Sequence, residues 1–88
     1  MKIEYGKKFL KELSLIPSKY RIIIEDFVFE ELPRYKNIYE CKQIESMKGY
    51  KMYFKVRFGD YRIGIKKEGE IIIILRVLHR KEIYKYFP

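Results

Sequence analysis

Eighty-eight residues, 48% of them apolar, suit one domain with one core and leave no room for a second. A formal charge of +8 favours a polyanionic partner over a basic or neutral one. A lone cysteine, Cys41, excludes an intrachain disulfide, no run is long enough to span a bilayer, and the first residues lack the apolar stretch of a secretion signal, so a cytoplasmic protein is expected.

In chain order, residues 2–5 read as a short strand. Phe9, Leu10, Leu13 and Ile16 then recur at helical spacing, with Lys7, Lys8, Lys11 and Glu12 outside them. Pro17 interrupts, and a second helix starts at Pro17 or Ser18 with Tyr20, Ile23, Ile24, Phe27, Val28 and Leu32 on its buried side. Leu32-Pro33 should close it, because a residue before proline avoids the helical region. Two helices in succession invite a DNA-binding helix-turn-helix reading. Against that, Glu25, Asp26, Glu30 and Glu31 outnumber Lys19 and Arg21 on the second helix, a polar side that repels phosphate.

Residues 34–41 read as an irregular connection and 42–47 as a strand with Ile44 inward, followed by a turn at Lys48-Gly49. From Lys51 the pattern alternates: Met52, Phe54, Val56 and Phe58 point to one side and Lys51, Tyr53, Lys55 and Arg57 to the other. Gly59-Asp60 suits a two-residue hairpin turn, which would place Arg57 opposite Arg62 and Lys55 opposite Gly64. Ile71 to Leu78 is a strongly apolar final strand, expected in the middle of the sheet. A three-residue loop at Glu68-Gly69-Glu70, setting Arg76 opposite Arg62, is expected, because a two-residue loop would drive the Arg76 charge into the core. The tail beyond His79 leaves the sheet beside the basic face, with Ile83 and Phe87 able to anchor it. The expected architecture is α+β, βααββββ: a short strand, a two-helix hairpin, and a mainly antiparallel sheet of about four strands with helices on one face.

Charge is unevenly placed along this order. Residues 1–46 carry a net +1 and residues 47–88 a net +7. Two directly opposed arginines with a lysine beside them repel one another unless the face meets a polyanion. Tyr53, interleaved among them, is suited to stacking on a base. The plainer alternative is a solvated face of snorkelling cations.

Several stretches together resemble the RelE/ParE superfamily of toxin–antitoxin toxins, and its RelE branch more closely. They are Tyr-x-x-x-Phe-Leu-Lys-x-Leu at Tyr5 to Leu13, Leu-x-x-Ile-Pro from Leu13, Met47-Lys48-Gly49-Tyr50, Arg57-Phe58-Gly59-Asp60-Tyr61-Arg62, and Arg76 through Tyr84. The resemblance implies a ribosome-dependent endoribonuclease that cleaves messenger RNA in the A site, a RelB-like antitoxin on a separate chain, and no metal or cofactor. It implies catalytic places for Lys55, Arg62, Arg80 and Tyr84. Tyr53 stands where the pattern has a further lysine, and the tail from Arg80 to Tyr84 is shorter than the pattern.

Attack of a ribose 2′-OH on the adjacent phosphodiester builds negative charge on phosphate oxygens, and needs a proton acceptor and a proton donor. Arg62 offers a fork for two phosphate oxygens. Arg80 offers a second clamp. Tyr84 is the candidate base or stacking platform, a phenol of ordinary pKa about 10 that serves as base only with cations beside it. Arg57, Lys51, Tyr53, Lys48, His79 and Arg76 are expected to bind substrate. Alternatives are a ParE-like toxin that binds gyrase and cuts nothing, and a weakly catalytic RNA-binding relative.

Overall fold

In the computed structural model, which describes residues 1–88, strand β1 (Lys2–Tyr5) turns through Gly6 into helix α1 (Lys7–Ser14). Phe9 and Leu13, one turn apart, are buried, whereas Leu10 is exposed, so the stripe is narrower than its spacing predicts. Helix α2 (Ser18–Glu25) follows Pro17, whose carbonyl accepts from the Tyr20 and Arg21 N–H groups. It buries Ile24 but leaves Ile23 exposed. The helical path then widens into a π-helical segment, Asp26–Glu31, which carries Phe27 and Val28 inward. The Tyr5 hydroxyl donates to the Val28 carbonyl at 2.6 Å, tying this segment to β1.

Leu32 does not end the helical path. Its backbone is helical, and a 3-10 turn runs through Leu32–Arg34 before Tyr35 opens out. Pro33 lies in the first turn of that short helix, where a missing N–H costs little. The connection beyond it holds another 3-10 turn, Ile38–Glu40.

Four strands follow: β2 (Ile44–Ser46), β3 (Tyr53–Phe58), β4 (Tyr61–Glu68) and β5 (Ile71–His79). The sheet has five strands in the order β1-β5-β4-β3-β2, one more than expected, because β1 joins it parallel to β5. All other pairs are antiparallel. The Gly59-Asp60 turn forms as read, with Gly59 at positive φ and Arg57 opposite Arg62, Lys55 opposite Gly64. Strand β3 starts later than its alternation suggests. Lys51 and Met52 lie in the preceding turn, with Met52 at φ 64° and exposed rather than inward.

The β4–β5 register differs from expectation. Glu68 pairs with Ile71, so the loop has two residues, and Arg62 faces Leu78. Arg76 nevertheless stays out of the core. Ile65 pairs with Ile74 and Gly64 with Arg76, so Leu75 is an extra residue in β5. Such a bulge reverses the side-chain parity beyond it. It returns Val77 to the core and Arg76 to the opposite face.

The main core lies between the sheet and the helices: Phe9, Leu13, Ile24, Phe27 and Val28 meet Phe54, Val56, Ile63, Ile65, Ile72, Ile74 and Val77. On the other face the tail forms a helical turn, α3 (Ile83–Tyr86), that sequence periodicity did not reveal. Ile83 and Phe87 anchor it, as expected, in a small cluster with Met47. Phe87 lies directly over Gly64, where a Cβ would approach its ring to 2.7 Å. Glycine in the middle of β4 is therefore a packing requirement.

Candidate functional site

Placing α3 over Gly64 brings Tyr84 to the strand opposite. Lys55, the β3 partner of Gly64, donates from Nζ to the Tyr84 hydroxyl at 2.8 Å, and the same ammonium lies 5.4 Å from the Tyr84 ring centroid. The two residues are 29 positions apart in sequence. Tyr84 itself remains 62% exposed, so it is a surface group held by a cation rather than part of the core. Lys48, Tyr50, Lys55 and Tyr84 line a cleft of about 380 Å³ with Met47 and Phe87 behind them.

Arg62 lies two residues along β4 from Gly64, at the hairpin end of the face. Its guanidinium donates to the carbonyls of Gly59 (2.6 Å) and Tyr61 (3.0 Å) and has no carboxylate partner. Those backbone bonds hold the group in place while leaving its charge uncompensated. Arg57, directly opposite, is 3.6 Å from Glu45 of β2. That exposed pair offsets the Arg57–Arg62 repulsion only weakly. Arg80 is 3.6 Å from Asp60, and its backbone N–H donates to the Asp60 carbonyl at 2.7 Å, so the start of the tail is fastened to the hairpin turn. The acid at Asp60 thus meets Arg80 rather than Arg62.

Other expected site residues are differently employed. His79 packs edge-on to Tyr61, its partner across β4–β5, and its Nδ1 accepts from the Lys81 N–H. Tyr53 is half-buried between Tyr50 and Phe87, with the Lys66 ammonium 5.5 Å from its ring centroid, so little of it is free to stack. Glu68, by hydrogen bonding and charge, and Tyr53 hold the Lys66 ammonium above its ordinary pKa. Lys51 and Lys48 are exposed in the turns before β3, Lys48 alone of the two lining the cleft.

Arg76 is the clearest departure. Both Glu12 carboxylate oxygens meet its guanidinium, with the shortest contact 2.6 Å, and one also accepts from the Val77 N–H at 3.1 Å. Both side chains are only 17% exposed. The Glu12 hydrogen bond holds the guanidinium above its already high ordinary pKa. Strand β1 pairs only as far as Ile74, so Glu12 of α1 acts as acceptor for the unpaired β5 edge beyond it. Arg76 also lies 5.6 Å from the Tyr86 ring centroid, beneath α3. It supports the tail and is not a free cation. Glu12 looked like one more solvated charge on a lysine-rich helix. Gly64 was the one local signal of the tail above it, a glycine inside an otherwise regular strand.

The face can therefore hold a phosphodiester between fixed cations, with a phenol beside an ammonium for proton transfer. No group of three His, Cys, Asp or Glu side chains is placed to hold a metal ion, and no helix is long and apolar enough to cross a membrane.

Comparison with known proteins extends over nearly the whole chain. Residues 3–84 match the family model described as the ParE toxin of type II toxin-antitoxin system, parDE. The chain is 43% identical over 89 aligned residues to toxin RelE3 of Methanocaldococcus jannaschii, with all of both sequences covered. Among solved structures it resembles a chain of the RelB-RelE antitoxin-toxin complex from Methanococcus jannaschii, with a TM-score of 0.76, 40% identity, and 97% of this chain and 99% of that one covered. The RelBE2 toxin-antitoxin complex from Mycobacterium tuberculosis shares the fold at a TM-score of 0.68 and 20% identity, covering 90% of this chain and 96% of that one.

Proposed function

This chain belongs to the RelE/ParE superfamily of toxins from type II toxin–antitoxin systems, and from that premise we propose that it is a RelE-type endoribonuclease that cleaves messenger RNA on the ribosome. The observation that carries the reading is the Lys55–Tyr84 hydrogen bond on a face whose Arg62 has no acid to neutralise it. A gyrase-binding relative has no evident need for that constellation.

In the proposed reaction a ribose 2′-oxygen attacks the adjacent phosphorus, the bond to the 5′-oxygen breaks, and a 2′,3′-cyclic phosphate and a 5′-hydroxyl result. Tyr84 accepts the 2′ proton as a phenolate whose negative charge the Lys55 ammonium offsets; water gives a proton to the departing 5′-oxygen, and the hydroxide left behind takes the proton from Tyr84. Arg62, held by carbonyls rather than by a carboxylate, stabilises the charge gathering on the phosphate oxygens. Arg80 lies at the same end of the face beside Asp60 and serves as the second clamp. Arg57 and Lys48 bind flanking phosphates, and codon positioning comes from the ribosome. The partner that silences this face is a RelB-like antitoxin on a separate chain, by analogy with the relative solved together with RelB.

Primer extension on a messenger in a translating extract tests the reading, with wild type, Arg62→Ala and Tyr84→Phe side by side. Cuts within codons that require ribosomes, and that fall about a hundredfold or more in Arg62→Ala, are expected. Intact messenger with translation unimpaired would end it, and a gyrase supercoiling assay would then decide whether the ParE-like alternative holds.

A further inference from the structure

Phe87 and Pro88 separate two clefts. One holds Lys48, Lys55 and Tyr84; the other, of about 370 Å³, lies between the β1–α1 turn and the tail. Tyr86, Phe87, Tyr53 and Leu75 line this second cleft, and Lys7 and Lys8 stand at its margin. Its walls are set in place from below. Phe87 is seated on Gly64, the Tyr53 ring meets Phe87 edge-on at 5.6 Å, and Arg76 supports Tyr86 while its charge is taken up by Glu12. Lys7 and Lys8, by contrast, are exposed and take part in no ion pair. Glu12, the acid of their own helix, is already engaged with Arg76 and the Val77 N–H.

An aromatic-walled cleft with uncompensated cations at its edge suits a ligand that is flat and apolar at one end and anionic at the other. Its size falls near the lower end of the range of about 300–1,000 Å³ typical of small-ligand sites. We infer that this cleft is a second nucleotide subsite, taking a base against the exposed ring of Tyr86 and the neighbouring phosphate at Lys7 and Lys8. This rests on the ribonuclease reading above and extends it: the RNA strand crosses Phe87-Pro88, with the scissile linkage at Lys55 and Tyr84 on one side and a flanking nucleotide held on the other. Stacking on an aromatic wall is sequence-tolerant, so the subsite adds affinity and fixes strand position with little base preference.

The test uses the full chain and fluorescein-labelled 2′-O-methyl oligoribonucleotides of two and four residues, which lack the attacking hydroxyl. Fluorescence anisotropy should show wild type binding the longer oligonucleotide about tenfold more tightly than the shorter, the gain expected from one stacked base. Lys7→Ala/Lys8→Ala should lose most of that gain, and its plot of log affinity against log salt should flatten by about 0.7 for each phosphate contact removed. Tyr86→Leu should lose the gain with the salt slope unchanged. Lys7 and Lys8 are exposed, and a melting curve on the double variant checks that it folds. A double variant that keeps the full gain, or a wild type that binds neither oligonucleotide, overturns the subsite. Primer extension on wild type separates the two ideas: cuts with no length-dependent gain remove the subsite alone, and a lysine-dependent gain without cuts removes the ribonuclease reading alone.

Discussion

On the helix side of the sheet, Ile63, Ile65, Ile72, Ile74 and Val77 are at most 1% exposed, and no polar side chain in the protein is fully buried. On the other side only the side chains of Met47, Ile83 and Phe87 are buried, with Leu75 and Leu78 partly buried beside them, and around these stand charged and phenolic groups, several with identifiable partners. Both faces come from the same strands, and residue 64 separates them. Ile63 and Ile65 point into the large core, while Gly64 between them supports the tail that carries Tyr84. The contrast concerns what holds a residue in place. In the large core any well-fitting apolar group contributes through burial. On the open face a group is useful because a particular neighbour orients it.

Substitutions that act on one face and not the other break or sharpen this comparison. The largest stability effect should come from Ile65→Ala, which empties fully buried volume and should cost about 2–5 kcal/mol in chemical denaturation. Well below its melting temperature that variant should still cut messenger at the same codon positions; changed positions would mean that the two faces are not separable. Gly64→Ala should behave in the opposite sense. Its methyl meets the Phe87 ring at 2.7 Å and lifts α3, for about 1–3 kcal/mol of stability. Misplacing Tyr84 should lower cleavage by about a hundredfold. Unchanged cleavage by folded Gly64→Ala would show that the Lys55–Tyr84 contact does not depend on the seat of Phe87.

Tyr5→Phe tests the helix side's edge, and should cost about 1 kcal/mol through loss of the hydrogen bond to the Val28 carbonyl. Its pH dependence has a defined sign. Burial first, and then Glu30, holds the Tyr5 hydroxyl above its ordinary 10.0 in the folded protein. Above that pH the unfolded chain releases the proton before the folded one, so the unfolded state binds fewer protons and stability falls as pH rises. Tyr5→Phe should lose this part of the alkaline slope, measurable as urea midpoints from pH 9 to 11, about 10 being the unfolded phenol value. The smallest effect belongs to Lys66→Ala. Its bridge to Glu68 is solvent-exposed, and its loss should change stability by less than about 0.5 kcal/mol. A greater loss would show that the contact of Lys66 with the Tyr53 ring stabilises the open face more than its exposure implies.

Local pattern alone determined the features whose physics is local. The Gly59-Asp60 turn and the alternation beyond it place Arg57 opposite Arg62 and Lys55 opposite Gly64, because a two-residue turn fixes the register of both strands. Helical spacing identified Phe9, Leu13, Ile24, Phe27 and Val28 as core, and the charge count assigned the basic surface to the second half of the chain. Tertiary structure decided what depends on distant partners. Strand β1 found β5 in parallel across the length of the chain, and no turn specifies such a pairing. The bulge at Leu75 resolved a conflict that loop length could not: two loop residues and a charged Arg76 are compatible only if β5 holds one residue more than β4. Glu12 reached the exposed end of β5 because β1 stops at Tyr5, leaving the Val77 N–H without a strand partner. Tyr84 reached Lys55 because Phe87 fits only over a residue with no side chain. Each outcome satisfies a buried donor, a charge or a ring from a remote element, and such a requirement leaves no periodicity in the sequence around it.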